Sequence, residues 1–122
     1  MIVGGTSYTF SAIQGVASTA NPSNNYYGIV ATSLSPTASL IVNLYGSATP
    51  ADGSTFTVSA VGGAGTSNPL MSVDNKTYAA TSGTITCNIV GGKVRITFTN
   101  MTFKNMADAT DIQTVSAMAT VL

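Results

Sequence analysis

Histidine, glutamate and tryptophan are absent from all 122 residues, and cysteine occurs once, at Cys87. Without histidine the chain lacks the commonest general base and the commonest metal-ligating ring. Without glutamate, aspartate is the only side-chain carboxylate, and without tryptophan the largest aromatic face is missing. A lone cysteine closes no intrachain disulfide, so the scaffold is not stapled. Charge is nearly as scarce. Lys76, Lys93, Arg95 and Lys104 balance Asp52, Asp74, Asp108 and Asp111 at zero net charge. No positive stripe exists to meet phosphates or anionic lipid, which argues against a nucleic-acid partner and against electrostatic membrane attachment. The apolar runs are only a few residues long, too short for a transmembrane helix.

Hydroxyls and amides fill the gap. The chain holds 19 threonines, 14 serines and 9 asparagines, with 44% hydrophobic residues and a mean hydropathy of +0.33. That apolar share supports a real core and excludes wholesale disorder. The length fits one domain, residues 1–122. Polar but uncharged surfaces of this kind resemble those of proteins outside the cytoplasm. Met1–Gly5 has neither the basic nor the apolar region of a signal peptide. The expectation is an extracytoplasmic protein, outer-membrane-anchored or secreted, through a leader absent from this chain.

Threonine, valine, isoleucine and tyrosine with glycine- and asparagine-rich turns favour sheet over helix. The best-determined element is a hairpin from Thr84 to Thr99 around Gly91-Gly92, a two-residue turn that requires positive φ. This turn sets Val90 opposite Lys93, Ile89 opposite Val94, Cys87 opposite Ile96 and Ile85 opposite Phe98. All the apolar partners then share one face, while Thr84, Thr86, Thr97 and Thr99 occupy the other with Asn88 and Arg95. A one-residue slip would oppose Ile and Val to Thr. Further strands are expected at Ser7–Ala17, with Gly15 as a bulge, at Tyr26–Thr32 and around Leu40, Val42 and Leu44. Phe56, Val58 and Ala60 form another inward set. Leu70–Val73 and Thr77–Ala80 flank an Asp74-Asn75-Lys76 turn. Met101 and Phe103 are out of phase with Phe98, which requires a bulge near Thr99–Asn100. Met106–Asp111 reads as a loop or one helical turn, and Val115, Ala117, Ala119 and Val121 form a terminal strand. Roughly eight to ten short strands at this spacing mean an all-β fold, a small antiparallel sandwich or partly closed barrel.

Candidate sites are few. Cys87 faces an apolar neighbourhood, which raises a thiol pKa, and no histidine exists to activate it. Asp52 and Asp74 stand beside turn residues, where aspartate caps its own backbone. Asp108 and Asp111 are close enough in sequence to meet at a turn, with oxygen ligands suited to weak Ca²⁺ binding, but they have no EF-hand spacing. Gly62-Gly63-Ala64-Gly65-Thr66 lacks the lysine and following helix of a phosphate loop. Asn24, Asn25 and Tyr26 form the leading ligand-contact cluster. If Tyr27 faces the core, Tyr26 faces out and can stack on a sugar or peptide. Tyr45 and Tyr78 raise the same question. No catalytic residue, metal ligand or cofactor-binding residue is identified, and no cofactor is expected.

Four stretches resemble a group of small secreted or lipoprotein-like β-domains of Bacteroidetes. They are Gly5-Thr6-Ser7-Tyr8-Thr9-Phe10, Ala51-Asp52-Gly53-Ser54-Thr55-Phe56, Ser82-Gly83-Thr84-Ile85-Thr86 and Gly92-Lys93-Val94-Arg95-Ile96-Thr97-Phe98. The resemblance spans most of the chain. It implies a β-domain after a secretory or lipid-bearing leader and carries no catalytic residues. The expected function is a non-catalytic extracytoplasmic β-domain with a binding or structural role at the cell surface. Two alternatives stand beside it: a structural subunit of a virion, tail or fimbria-like assembly, and a carbohydrate- or peptide-binding module using exposed tyrosines. A glycan, peptide or protein partner is compatible with each, and oligomeric state is open.

Overall fold

A computed structural model describes residues 1–19 and 25–122. The described elements are strands: β1 (Ile2–Val3), β2 (Thr6–Ser7), β3 (Ala12–Ser18), β4 (Tyr26–Leu34), β5 (Thr37–Tyr45) and β6 (Thr55–Val58). There follow β7 (Thr66–Ser67), β8 (Leu70–Val73), β9 (Lys76–Ser82), β10 (Thr84–Val90), β11 (Lys93–Asn105) and β12 (Ile112–Thr120). Three of these are two-residue pieces, leaving nine longer strands, within the expected range. No helix among the described residues is long and apolar enough to cross a membrane.

Alternation builds the core. In β5, Ala38, Leu40, Val42 and Leu44 are buried while their neighbours are not. Ile29 and Ala31 of β4 pack beside them, and Ile85, Cys87, Ile96, Phe103 and Val115 extend the same cluster. The 84–99 hairpin has the register that its turn chemistry requires: Thr86 opposes Thr97, Cys87 opposes Ile96 and Val90 opposes Lys93. Gly91 and Gly92 adopt φ of 58° and 77°, a left-handed pair in which side chains are strained. Ile89 departs from the inward expectation. It sits near the hairpin tip, 37% exposed, where the core no longer reaches.

The molecule turns its corner at a paired irregularity. Strand β11 is 13 residues long, about 40 Å when extended. Its first part pairs with β10 and its last with β9, and its register against β12 shifts between Phe98 and Met101. Asn100 adopts φ of 52° at the shift, as the phase change predicts, and its N–H donates to Ser116 Oγ at 2.8 Å. On the β9–β10 side, Gly83 takes φ of 134° with the Met101 side chain against its α-carbon face. The two bends carry the long hairpin from one layer of the fold into the other.

Strands β3, β4, β5, β8, β9, β11, β12 and β1 follow one another by antiparallel pairing. Strand β6 sits between β7 and β10, parallel to the first and antiparallel to the second. That short parallel pair breaks the otherwise antiparallel expectation. The sheet curls into a sandwich-like, partly closed barrel. Leu122 N donates to Ile13 O at 3.2 Å across the seam, but no strand ladder joins β3 to β12 among the described residues.

Several local expectations change. Gly15 is not a bulge, since Ala12 to Ser18 pair with Thr32 to Tyr26 without a shift. It leaves space for the Tyr27 ring, whose hydroxyl occupies the place a β-carbon would take. Ala60 is exposed rather than inward, because β6 ends at Val58. The turn after β8 has two residues, Asp74 and Asn75, with φ of 53° and 61°. Residues 106–111 form a loop and not a helical turn.

Candidate functional site

The leading ligand-contact residues fall at the start of β4. Asn24 lies outside the described residues. Asn25 and Tyr26 are half-buried. Asn25 O accepts the Gly46 N–H at 2.8 Å, while its side-chain Oδ1 is buried without a partner. Tyr26 lies on the outer face, opposite Tyr45, with ring centroids 5.6 Å apart and planes tilted by 56°. Each ring therefore covers part of the other. What remains open is an uncharged two-ring platform, able to stack on an apolar or sugar face. Tyr27 turns inward as alternation requires, and burial pushes its hydroxyl pKa up.

A second polar cluster forms where β11 turns into β12. Tyr78 Oη donates to Asp111 Oδ2 at 2.7 Å, and Asn105 Nδ2 donates to the same oxygen at 3.1 Å. Gln113 Nε2 donates to Asp111 Oδ1 at 3.0 Å, and Lys76 Nζ stands 4.0 Å from Oδ2. The hydrogen bond from Tyr78, followed by those from Asn105 and Gln113, holds the Asp111 carboxyl down at about 2. The same Tyr78 bond, with burial and the nearby negative charge, pushes the Tyr78 hydroxyl up to about 12. Asp108 points elsewhere. Its Oδ1 accepts from the Thr110 hydroxyl at 2.7 Å and the Thr110 N–H at 3.0 Å, which lowers its pKa.

These bonds decide what the aspartates can do. Both oxygens of Asp111 already accept from the protein, so this carboxylate is a loop anchor rather than a proton donor. A cation would have to displace those donors. No group of three or more candidate ligand side chains for a metal occurs among the described residues. Asp52 also serves structure, though not by capping its own turn. Its Oδ1 accepts the Ile89 N–H at 2.8 Å and Asn88 Nδ2 at 3.4 Å, 37 and 36 residues away. Cys87 is fully buried, and that burial raises its thiol pKa. The threonine face is wider than the hairpin alone: Thr55, Thr86, Thr97 and Met118 form one cross-strand row, and Thr57 opposes Thr84. Arg95 is tied to the neighbouring strand there, donating from Nε to Thr120 Oγ1 at 2.8 Å.

Sequence reasoning missed the Tyr78–Asp111 pairing, which joins residues 33 apart. One local signal was present. Asn105, Asp108 and Asp111 recur every three residues, a spacing suited to successive side-chain-to-backbone turns. Asn105 Oδ1 does accept the Ala107 N–H at 2.8 Å, and Asn105 O accepts the Asp108 N–H at 3.3 Å.

Comparison with known family models, with curated protein sequences and with solved structures finds no match to this chain.

Proposed function

We infer that the chain is a non-catalytic β-domain working outside the cytoplasm, in a binding or structural role at a cell surface. One observation carries the non-catalytic part. The groups best suited to chemistry are already engaged: Asp111 by three donors, Asp52 by the β10 backbone and Cys87 by the core. Composition supports the location, because solubility rests on hydroxyls and amides with 7% charged residues. The resemblance to secreted and lipoprotein-like Bacteroidetes domains points the same way. Fractionation of the producing cell, followed by protease treatment of intact cells, tests it. The protein should appear in the envelope or the medium and be cleaved from outside. Recovery in the cytosol, protected until lysis, would overturn the reading.

For the binding role, the Tyr26–Tyr45 platform is the favoured contact, with Asn25 at its side. A glycan and peptide screen should yield hits that disappear in Tyr26→Ala and Tyr45→Ala. Hits that survive both substitutions would move the contact elsewhere.

A further inference from the structure

Residues 1–51 contain no charged side chain, and the sheet made by β3, β4 and β5 lies within them. Its outer face is correspondingly neutral. One cross-strand row runs Gln14, Val30, Ile41 and Leu70, and the next runs Val16, Gly28 and Asn43. Val16, a large apolar side chain of β3, is 66% exposed.

Among the described residues the edge beside that face is also open: β3 pairs with β4 alone. Three backbone bonds establish which of its groups point outward. Thr32 O accepts from Ser11 N on the β3 side, Gly46 N donates to Asn25 O between β4 and β5, and Ile13 O accepts from Leu122 across the seam. Antiparallel alternation then turns the N–H and C=O of Ile13, Gly15 and Ala17 away from β4. Leu122 engages Ile13 O. Gly15 presents its groups to a groove of about 420 Å³ lined by Ala12–Val16 beside Val121 and Leu122, and Ala17 follows it along the edge. Natural edges are commonly guarded by lysine, proline or an inward charge, and β3 has none of these.

We propose that this edge pairs with β3 of a second copy of the chain, antiparallel about a twofold axis at Val16. In that register Gly15 opposes Ala17 of the partner copy, and the reverse pair repeats it, giving four backbone hydrogen bonds. Val16 meets its own symmetry mate on the outer face, flanked by Gln14 opposite Ser18. Charge and symmetry both favour a second copy as the occupant. A copy brings an edge equally free of charged side chains, so no side-chain charge is desolvated and none is repelled. An antiparallel strand pair about a twofold axis is also self-complementary, as a closed dimer requires. Four bonds and one valine pair make a small interface, so the dimer belongs to the weak, concentration-dependent class. The proposal rests on the fold alone and holds wherever the protein resides.

Sedimentation velocity from micromolar to millimolar concentration tests it, on wild type and on Val16→Lys. Val16 points to solvent, so the lysine should leave the fold intact while placing two ammonium groups face to face. The dissociation constant should rise roughly tenfold or more. Oxidised Val16→Cys should cross-link to a disulfide dimer, and Gln14→Cys, whose partner is Ser18, should not. A wild-type chain monomeric throughout the range overturns the proposal. So does a dimer unaffected by Val16→Lys, or equal cross-linking at both positions.

Discussion

Residues 1–51 and residues 52–122 contribute to the same core but differ in how they are held. The first stretch has no charged side chain, and the second has all of them. Strands β3 to β5 are joined by regular ladders, apolar packing and neutral hydroxyl bonds, such as Ser33 Oγ to Pro36 O at 2.7 Å. Strands β9 to β12 carry ionic and charge-assisted locks: Asp52 on the β10 backbone, Arg95 on Thr120 and Asp111 on three side chains. The difference teaches where charge is used in this protein. Almost every charged group with a defined partner fixes a loop or strand end, so the neutral sheet is the surface left over for contact with something else.

Core truncation should show the largest effect. Phe103 is fully buried in the charged half, and Phe103→Ala should cost ~3–5 kcal/mol by denaturant unfolding. In the neutral half, Gly15→Ala should destabilise by ~1–3 kcal/mol, because the new methyl collides with the Tyr27 ring. Shortening the ring in Gly15→Ala with Tyr27→Leu should recover part of that loss, a coupling that a double-mutant cycle measures. Additive effects would mean the ring does not need the glycine. At the main hairpin, Gly92→Val should cost ~1–2 kcal/mol by forcing a β-branched residue to positive φ. Unchanged stability with an unchanged turn would contradict the left-handed assignment.

The smallest effect is the most specific. Tyr78→Phe removes one hydrogen bond to a carboxylate that keeps two other donors and some water, so ~1 kcal/mol is expected. Its pH dependence is the sharper readout. Asp111 is depressed in the folded state, so its contribution is present above the unfolded value near 3.8 and lost as pH falls toward about 2. Tyr78 is raised, so its contribution is present below 10 and lost as pH rises toward about 12. Wild-type stability should therefore fall between pH 4 and 2 and again between pH 10 and 12. In Tyr78→Phe the alkaline fall should shrink and the acid fall should become shallower. Equal profiles for the two proteins would remove this pair from the stability of the loop.

Much of the fold was legible because β-periodicity reports faces and turn residues report register. The Gly91-Gly92 pair with alternating Ile, Cys and Thr predicted the hairpin pairing from Thr86–Thr97 to Val90–Lys93, while the expected Ile85–Phe98 pair is not part of the ladder. The phase change between Phe98 and Met101 located the bulge now seen at Asn100. Periodicity does not report neighbours across the fold, and the misses share that cause. Locally Asp52 fits a cap on its own turn, and its actual partner Ile89 is 37 residues away. Gly15 looked like a bulge because its use, making room for Tyr27, depends on the pairing of β3 with β4. Alternation alone places Tyr26 on the outer face, but its stacking on Tyr45 depends on the β4–β5 register. The wedge of β6 between β7 and β10 left no local signal at all.

The contrast between the neutral and charged halves is tested most directly by amide hydrogen exchange on the wild-type chain at low and high protein concentration. Exchange at Gly15 and Ala17 should slow as concentration rises, while Cys87, deep in the charged half, should keep one rate. Identical exchange at Gly15 and Ala17 under both conditions would contradict the neutral sheet as the contacting surface.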